Sequence, residues 1–284
     1  MASAGNFKSE KLIYNFLCNE ILFQIKNYGL GKSCTIFGIK NKNGLFVGRN
    51  YDWFPEAEKF FQAYKFSNPW RKKFIAVTDM GISSGSWINV KNRFYDPDDA
   101  INEEGLYIGL TFAYNEKWSY GLTSSHLVRL VAETCSSVED SIEIFKRVPL
   151  CSPKNFFIAD ENGEMVVVEH NSKKFKIIYP EENILIKTNH YLDPEMEKED
   201  KVLKKYPFHN TFIRYYETLQ RINFRKERFK FSDIIKVLGD KNSYTCQNLP
   251  RVRTIWTLGL DMKNRKYKLF WNLFGKRKEK ILKI

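Results

Sequence analysis

Cys34, Arg49 and Asp52 are residues whose types and spacing could carry a reaction. A thiol attacks as the thiolate, and a fixed guanidinium nearby lowers the pKa at which that anion forms. A carboxylate can accept a hydrogen bond from an amine. The three lie on a predicted hairpin: CTIFGIK (34–40), a polar NKNG turn (41–44) and LFVGRNYDW (45–53). Two apolar runs around an Asn/Gly turn are the signal for it. Arg49 and Asp52 are three residues apart, so in a straight strand their side chains leave on opposite faces. A bend near Asn50 would let both approach the start of the preceding strand, where Cys34 sits.

Other elements must hold that hairpin. Residues 8–28 have apolar positions at Leu12, Phe16, Ile21 and Ile25, a helical spacing ended by Gly29 and Gly31. FIAVTD (74–79), SWINV (86–90) and GLYIGLTFAY (105–114) read as strands. One helix starts at Ser124 or Ser125 and runs to Cys135. A second has Ser136 or Ser137 as N-cap, an acidic first turn, and a stop at Pro149. NFFIAD, MVVVEH, KFKIIY and NILIKTNH then predict a meander. Three helical patterns follow within 195–238, the middle one around Phe212–Ile222, and TIWTLGLDM with KYKLFW forms a last hairpin. This order predicts an α+β domain with mainly antiparallel sheets and helices packed outside.

Composition narrows the function classes. The chain has 284 residues, 43% hydrophobic and 15% aromatic, which is enough to bury a core and excludes wholesale disorder. No apolar run approaches the roughly 18 residues of a membrane span. Lys8, Glu10, Lys11 and Glu20 interrupt any signal-like stretch, so a cytoplasmic protein is expected. The five cysteines (18, 34, 135, 151, 246) form no CxxC pair, which suits neither a zinc cage nor a disulfide framework. No pair among His126, His170, His190 and His209 has metal-ligand spacing, so no metal or cofactor is expected. The net charge of +13 is densest at 201–205, 225–230 and 276–280. No nucleic-acid motif accompanies it, and it reads as a lysine-rich solvated surface rather than a nucleic-acid site.

Longer motifs extend the pattern. Cys34-Thr35 and Gly48-Arg49-Asn50-Tyr51-Asp52 are followed by Asn102-Glu-Glu-Gly-Leu-Tyr-Ile-Gly-Leu-Thr-Phe, then Asn155-Phe-Phe-Ile-Ala-Asp. Thr188-Asn189-His190 and Thr254-Ile-Trp-Thr come next. This ordered set, covering most of 34–272, resembles the choloylglycine hydrolase, penicillin V acylase and penicillin acyltransferase branch of the N-terminal nucleophile (Ntn) hydrolases. The resemblance implies an αββα four-layer sandwich over 34–275, after a leader helix (1–33) removed autocatalytically and before a basic tail (276–284). It also implies that Cys34 is the nucleophile and that its freed α-amine, with a reference pKa near 7.7–8.0, is the base.

By the same resemblance, Arg49 and Asp52 hold Cys34, the Asn189 side-chain amide donates to the oxyanion, and the Thr111 backbone N–H completes the hole. A late arginine belongs to such sites: Arg214 is the choice, with Arg251 and Arg253 as rivals. Trp53, Phe54, Phe60 and Phe61 follow the hairpin where relatives carry a substrate loop, and suit an acyl pocket or the core equally. The expected activity is hydrolysis of linear N-acyl amides, with a small-molecule substrate and a homo-oligomer as partners. An acyltransferase of the same fold shares every motif, and a non-catalytic basic binding protein is the alternative of another class.

Overall fold

The computed structural model describes residues 33–59, 61–79, 97–115, 117, 119–202 and 210–284. The hairpin forms as expected. β1 (Ser33–Asn41) pairs antiparallel with β2 (Gly44–Trp53), from Ser33 opposite Asp52 to Asn41 opposite Gly44. Gly44 closes the turn at φ +131°, where only glycine is unstrained.

The second sheet runs β3 (Gln62–Asn68), β4 (Arg71–Thr78), β5 (Asp99–Asn102), β6 (Tyr107–Phe112), β7 (Lys154–Ala159), β8 (Met165–His170) and β9 (Phe175–Ile178), each strand antiparallel to its neighbour. The first has the order β10-β1-β2-β12-β13-β14, with β11 (Asn248–Leu249) on β12. Here β10 is Ile184–Lys187, β12 Val252–Asp261, β13 Lys266–Trp271 and β14 Lys278–Leu282.

Strand alternation sorts the hairpin's side chains. Cys34, Ile36, Val47, Tyr51 and Trp53 join the core between the sheets, with Tyr107, Phe157 and Val167 opposite. Phe37, Ile39 and Phe46 face outward. Gly48 lies on that outer face, where an added Cβ would stand 2.5 Å from the Phe37 ring.

The helices cover the two outer faces. α1 (Ser124–Thr134) and α2 (Val138–Arg147) lay Leu127, Val131, Ile142 and Phe145 on Phe74, Ile108 and Phe156. After the single turn α3 (Pro194–Glu197), α4 (Thr211–Asn223) and α5 (Phe231–Leu238) lay Ile222, Ile234 and Val237 on Phe37, Ile39 and Phe46. Ser137 caps α2 by accepting from Asp140 N at 3.1 Å. The result is helices, sheet, sheet, helices: the αββα arrangement with antiparallel sheets.

Three local expectations need correction. The predicted meander breaks, because β10 leaves the second sheet and pairs with β1, Ile36 opposite Lys187. A tight turn with Glu182 and Asn183 at positive φ makes the exit, and ILIK is fully buried while β9 is a half-buried edge. The strands β3 and β5 have no counterpart in the sequence reading. Residues 276–284, read as a basic tail, include the edge strand β14, so the sheet continues past residue 275.

The leader helix and SWINV lie outside the described residues. Among the described residues no helix is long and apolar enough to cross a membrane.

Candidate active site

β10 stops at Lys187, opposite Ile36, and the chain turns through Thr188, Asn189 and His190. Cys34 lies two residues beyond that last rung, so among the described residues no strand pairs its main chain on that side. Side chains do so instead. Asn189 Oδ1 accepts from the Cys34 N–H at 3.0 Å, and Arg214 Nη1 donates to the Cys34 carbonyl. Arg214 also donates to Thr35 Oγ1 at 2.9 Å and, through Nη2, to Asn189 Oδ1 at 2.7 Å.

α4 brings Arg214 there from its first turn, and both Arg214 and Asn189 are buried. The other two arginines stand elsewhere. Arg253 is held by Asn248 and Glu58, and Arg251 is exposed.

β2 does not bend at Asn50. β2 pairs without interruption on its β1 side, so Arg49 points between the sheets with Cys34 while Asp52 points to the outer face. The irregularity is in β12, where the register shifts between Thr254 and Trp256. That bulge lets Thr254 meet Asp52 on one face and Trp256 meet Tyr51 on the other. Asp52 accepts from Thr254 Oγ1 at 2.6 Å and from Gln247 Nε2 at 2.9 Å.

On the inner face Arg49 crosses to the second sheet. Its Nε donates to Asp99 Oδ1 at 2.6 Å and its Nη2 to the Leu110 carbonyl at 3.1 Å. Asp99 also accepts from Tyr107 at 2.8 Å and Trp256 Nε1 at 3.1 Å. Arg49 Nη1 is buried and makes no hydrogen bond among the described residues. Tyr51, stacked on Trp256 at 3.8 Å, donates to Asp79.

These charges act on the thiol, with a result opposite to the expectation. Burial pushes the Cys34 pKa up to about 11; Arg49 and Arg214 pull it down, while Asp52 and Asp99 add to the rise. Taking a thiolate out of water outweighs the guanidinium in this uncut chain. The Asp52 carboxyl is likewise raised by burial, against Arg214, Thr254, Gln247 and Arg49.

Thr111 supports the Asn189 turn by its side chain. Its Oγ1 donates to the Thr188 carbonyl at 2.8 Å and accepts from Asn155 Nδ2 at 3.2 Å. The neighbouring Leu110 N–H bonds Asp98 on the β5 side. Alternation along an antiparallel ladder therefore turns the Thr111 N–H toward β7. Asn189 Nδ2 donates one proton to the Phe112 carbonyl at 2.9 Å, leaving its second N–H. Beneath the turn, buried Lys187 pairs with Glu169 and holds the His190 carbonyl, while Glu169 accepts from Leu192 N and Asp193 N.

The aromatic residues divide. Trp53 is buried in the inter-sheet core with Phe54 against it. Phe61 stacks on Trp256 and lines a cavity of about 490 Å³ together with Lys59, Arg253 and Trp271. Phe60 lies outside the described residues. The sequence reading did not find Asp99, Tyr107, Gln247 or Asn210. Only pairing two distant strands and a loop against a helix brings them to Cys34, and no local motif encodes that.

Two facing antiparallel sheets, each with seven strands among the described residues, lie between helices and define the class: the fold is that of the Ntn hydrolases. The penicillin V acylase of Agrobacterium tumefaciens superposes with a TM-score of 0.61 at 13% identity, over 88% of this chain and 86% of that one. A Caenorhabditis elegans N-acylethanolamine-hydrolyzing acid amidase ortholog gives 0.58 at 13%, over 88% and 100%. The conjugated bile acid hydrolase of Clostridium perfringens gives 0.57 at 13%, over 88% and 97%.

The chain belongs to the acyl-coenzyme A:6-aminopenicillanic acid acyl-transferase family, whose profile matches residues 39–275. Cys34 stands five residues before that match. No curated protein sequence matches the chain.

Proposed function

We propose that this protein is a cysteine amidohydrolase that cleaves linear amides of small N-acyl substrates after releasing its own residues 1–33. The observation that carries this reading is the triangle of Cys34, Asn189 and Arg214, in which side chains take the Cys34 N–H and carbonyl. In the first step Cys34 Sγ attacks the Ser33 carbonyl, the C–N bond breaks, and the thiol proton passes to the α-nitrogen. Water then hydrolyses the thioester, leaving a carboxylate on residue 33 and a free thiol and α-amine on Cys34.

The same groups serve the substrate. Sγ adds to the amide carbonyl while the α-amine takes its proton, and the oxyanion accepts from the second N–H of Asn189 Nδ2. Collapse expels the leaving nitrogen, which receives that proton, and water attacks the thioester with the α-amine again as base. Arg49 Nη1, without a hydrogen bond among the described residues, supplies positive charge on the Cys34 face. Asp52, opposite Ser33 in the ladder, is the carboxylate proposed to hold the new ammonium.

Intact-mass spectrometry under denaturing conditions tests the reading. Wild-type protein should contain a species beginning at Cys34 that Cys34→Ala lacks. A wild-type chain that stays whole through long incubation at neutral pH overturns it.

The family description favours a second reading, in which an amine rather than water takes the acyl group from Cys34. Product analysis with and without an acceptor amine separates the two.

A further inference from the structure

Asp52 and Arg214 approach Cys34 from different elements, yet one line of side chains joins them. Arg214 Nε donates to Asn210 Oδ1 at 2.9 Å. Asn210 Nδ2 donates to Gln247 Oε1 at 3.0 Å, and Gln247 Nε2 donates to Asp52 Oδ2 at 2.9 Å. A guanidinium can only donate and a carboxylate can only accept. Both amides must therefore accept on the Arg214 side and donate on the Asp52 side. Every dipole in the line points its positive end at the carboxylate, and such chains strengthen bond by bond.

The line is built on fixed parts. Gln247 is buried, and its main chain is locked to Thr254 in both directions: N to Thr254 Oγ1 at 2.9 Å, and O from Thr254 N at 2.9 Å. Asn210 sits at the N-cap of α4 but makes no side-chain cap bond there, its oxygen being taken by Arg214.

We propose that Gln247 is a positioning residue of the Cys34 site, tying the Asp52 carboxylate through Asn210 to the guanidinium that holds Cys34. This rests on the amidohydrolase reading for its catalytic meaning, though the tie itself does not. The charged and titratable groups whose fields reach Asp52 are Arg49 from β2 and Cys34 from β1, both on the opposite face of the sheet, with Arg214 from α4 and Cys246 from the segment before β11. The Gln247→Leu substitution replaces none of these groups.

The test is a ¹³C titration of the Asp52 carboxyl in the full chain, assigned with Asp52→Asn. Gln247→Leu removes a donor to the charged form, so the midpoint should rise by about one pH unit. Asn210→Ala should raise it by less, and the double variant by no more than Gln247→Leu alone, because the line is already cut. Where Cys34-dependent turnover is present in wild type, the acid limb of kcat/KM should move with the carboxyl. A midpoint unmoved in Gln247→Leu, or additive shifts in the double variant, overturns the proposal.

If Gln247→Leu fails to fold, Asn210→Ala against wild type decides, an unmoved midpoint again counting against the line. If the wild type shows no Cys34-dependent turnover, the amidohydrolase reading falls. The carboxyl titration still decides the role of Gln247.

Discussion

Cys34 and Asn189, 155 residues apart in the chain, are joined by one hydrogen bond from the Cys34 N–H to Asn189 Oδ1 at 3.0 Å. The same oxygen receives Arg214 Nη2, so a single buried atom orients both the residue proposed as nucleophile and the guanidinium on its carbonyl. Asn189→Ala removes that acceptor and leaves two buried donors unpaired, at about 1–3 kcal/mol each. Urea unfolding should detect the loss. Release of residues 1–33, followed by mass, should slow about a hundredfold or more. Wild-type processing in this variant would remove Asn189 from the proposed mechanism.

A second prediction concerns the thiol. In the uncut chain burial holds Cys34 up to about 11, so the thiolate fraction keeps growing well past neutral pH. Alkylation by iodoacetamide, followed on the uncut mass alone, should accelerate about tenfold per pH unit from 7 to 10. Cys34→Ala reports the other cysteines. A plateau near pH 8 would mean that Arg49 and Arg214 win over burial.

The Arg49–Asp99 pair spans the two sheets with both side chains fully buried. Breaking such a pair from one side leaves a charge without compensation and typically costs about 3–5 kcal/mol. Asp99→Asn should therefore lower the urea midpoint by that measure while Tyr107→Phe, which removes one neutral donor to the same carboxylate, lowers it far less. Equal effects would mean the charge carries none of the stability.

His170 gives a pH dependence away from the site. Burial holds its pKa down to about 4, from an ordinary value near 6.5, and Nδ1 accepts from Ser172 N at 2.8 Å. Between those two values the unfolded chain binds a proton that the folded one refuses. Stability should therefore fall as pH drops from 6.5 toward 4, by up to about 1.4 kcal/mol per unit. Above 6.5 this contribution is flat. Urea unfolding of His170→Gln across the same window should lack that slope; an unchanged slope would assign it to other groups.

Much of this architecture could be read before any coordinates. The 34–53 hairpin, the Ser137 cap and the strands 154–159 and 165–170 follow from apolar periodicity and turn residues, which act over a few positions. The path of β10 could not be read. ILIK follows KFKIIY as a meander strand would, and only the demand of β1 for a partner sends it to the other sheet. The missing bend at Asn50 is similar: a straight strand satisfies Arg49 and Asp52 separately because Asp99 waits on one face and Gln247 on the other. Asp99 is one acidic residue in a PDDAIN stretch until β5 pairs with β6. Motif order pointed to the candidate site, and long-range pairing supplied the partners of its residues.

The early stop of β10 has a mechanical meaning. A strand rung is a main-chain amide against a main-chain carbonyl, and it holds only while both backbones keep their places. At Cys34 the rung on that side is made by the ends of two side chains, anchored elsewhere. Asn189 Oδ1 can receive an amide proton or an ammonium proton equally well. Severing the Ser33–Cys34 bond would thus unpick no ladder bond there. The hem of the sheet is sewn with a thread that does not run through the cloth, at the one residue where the chain is proposed to part.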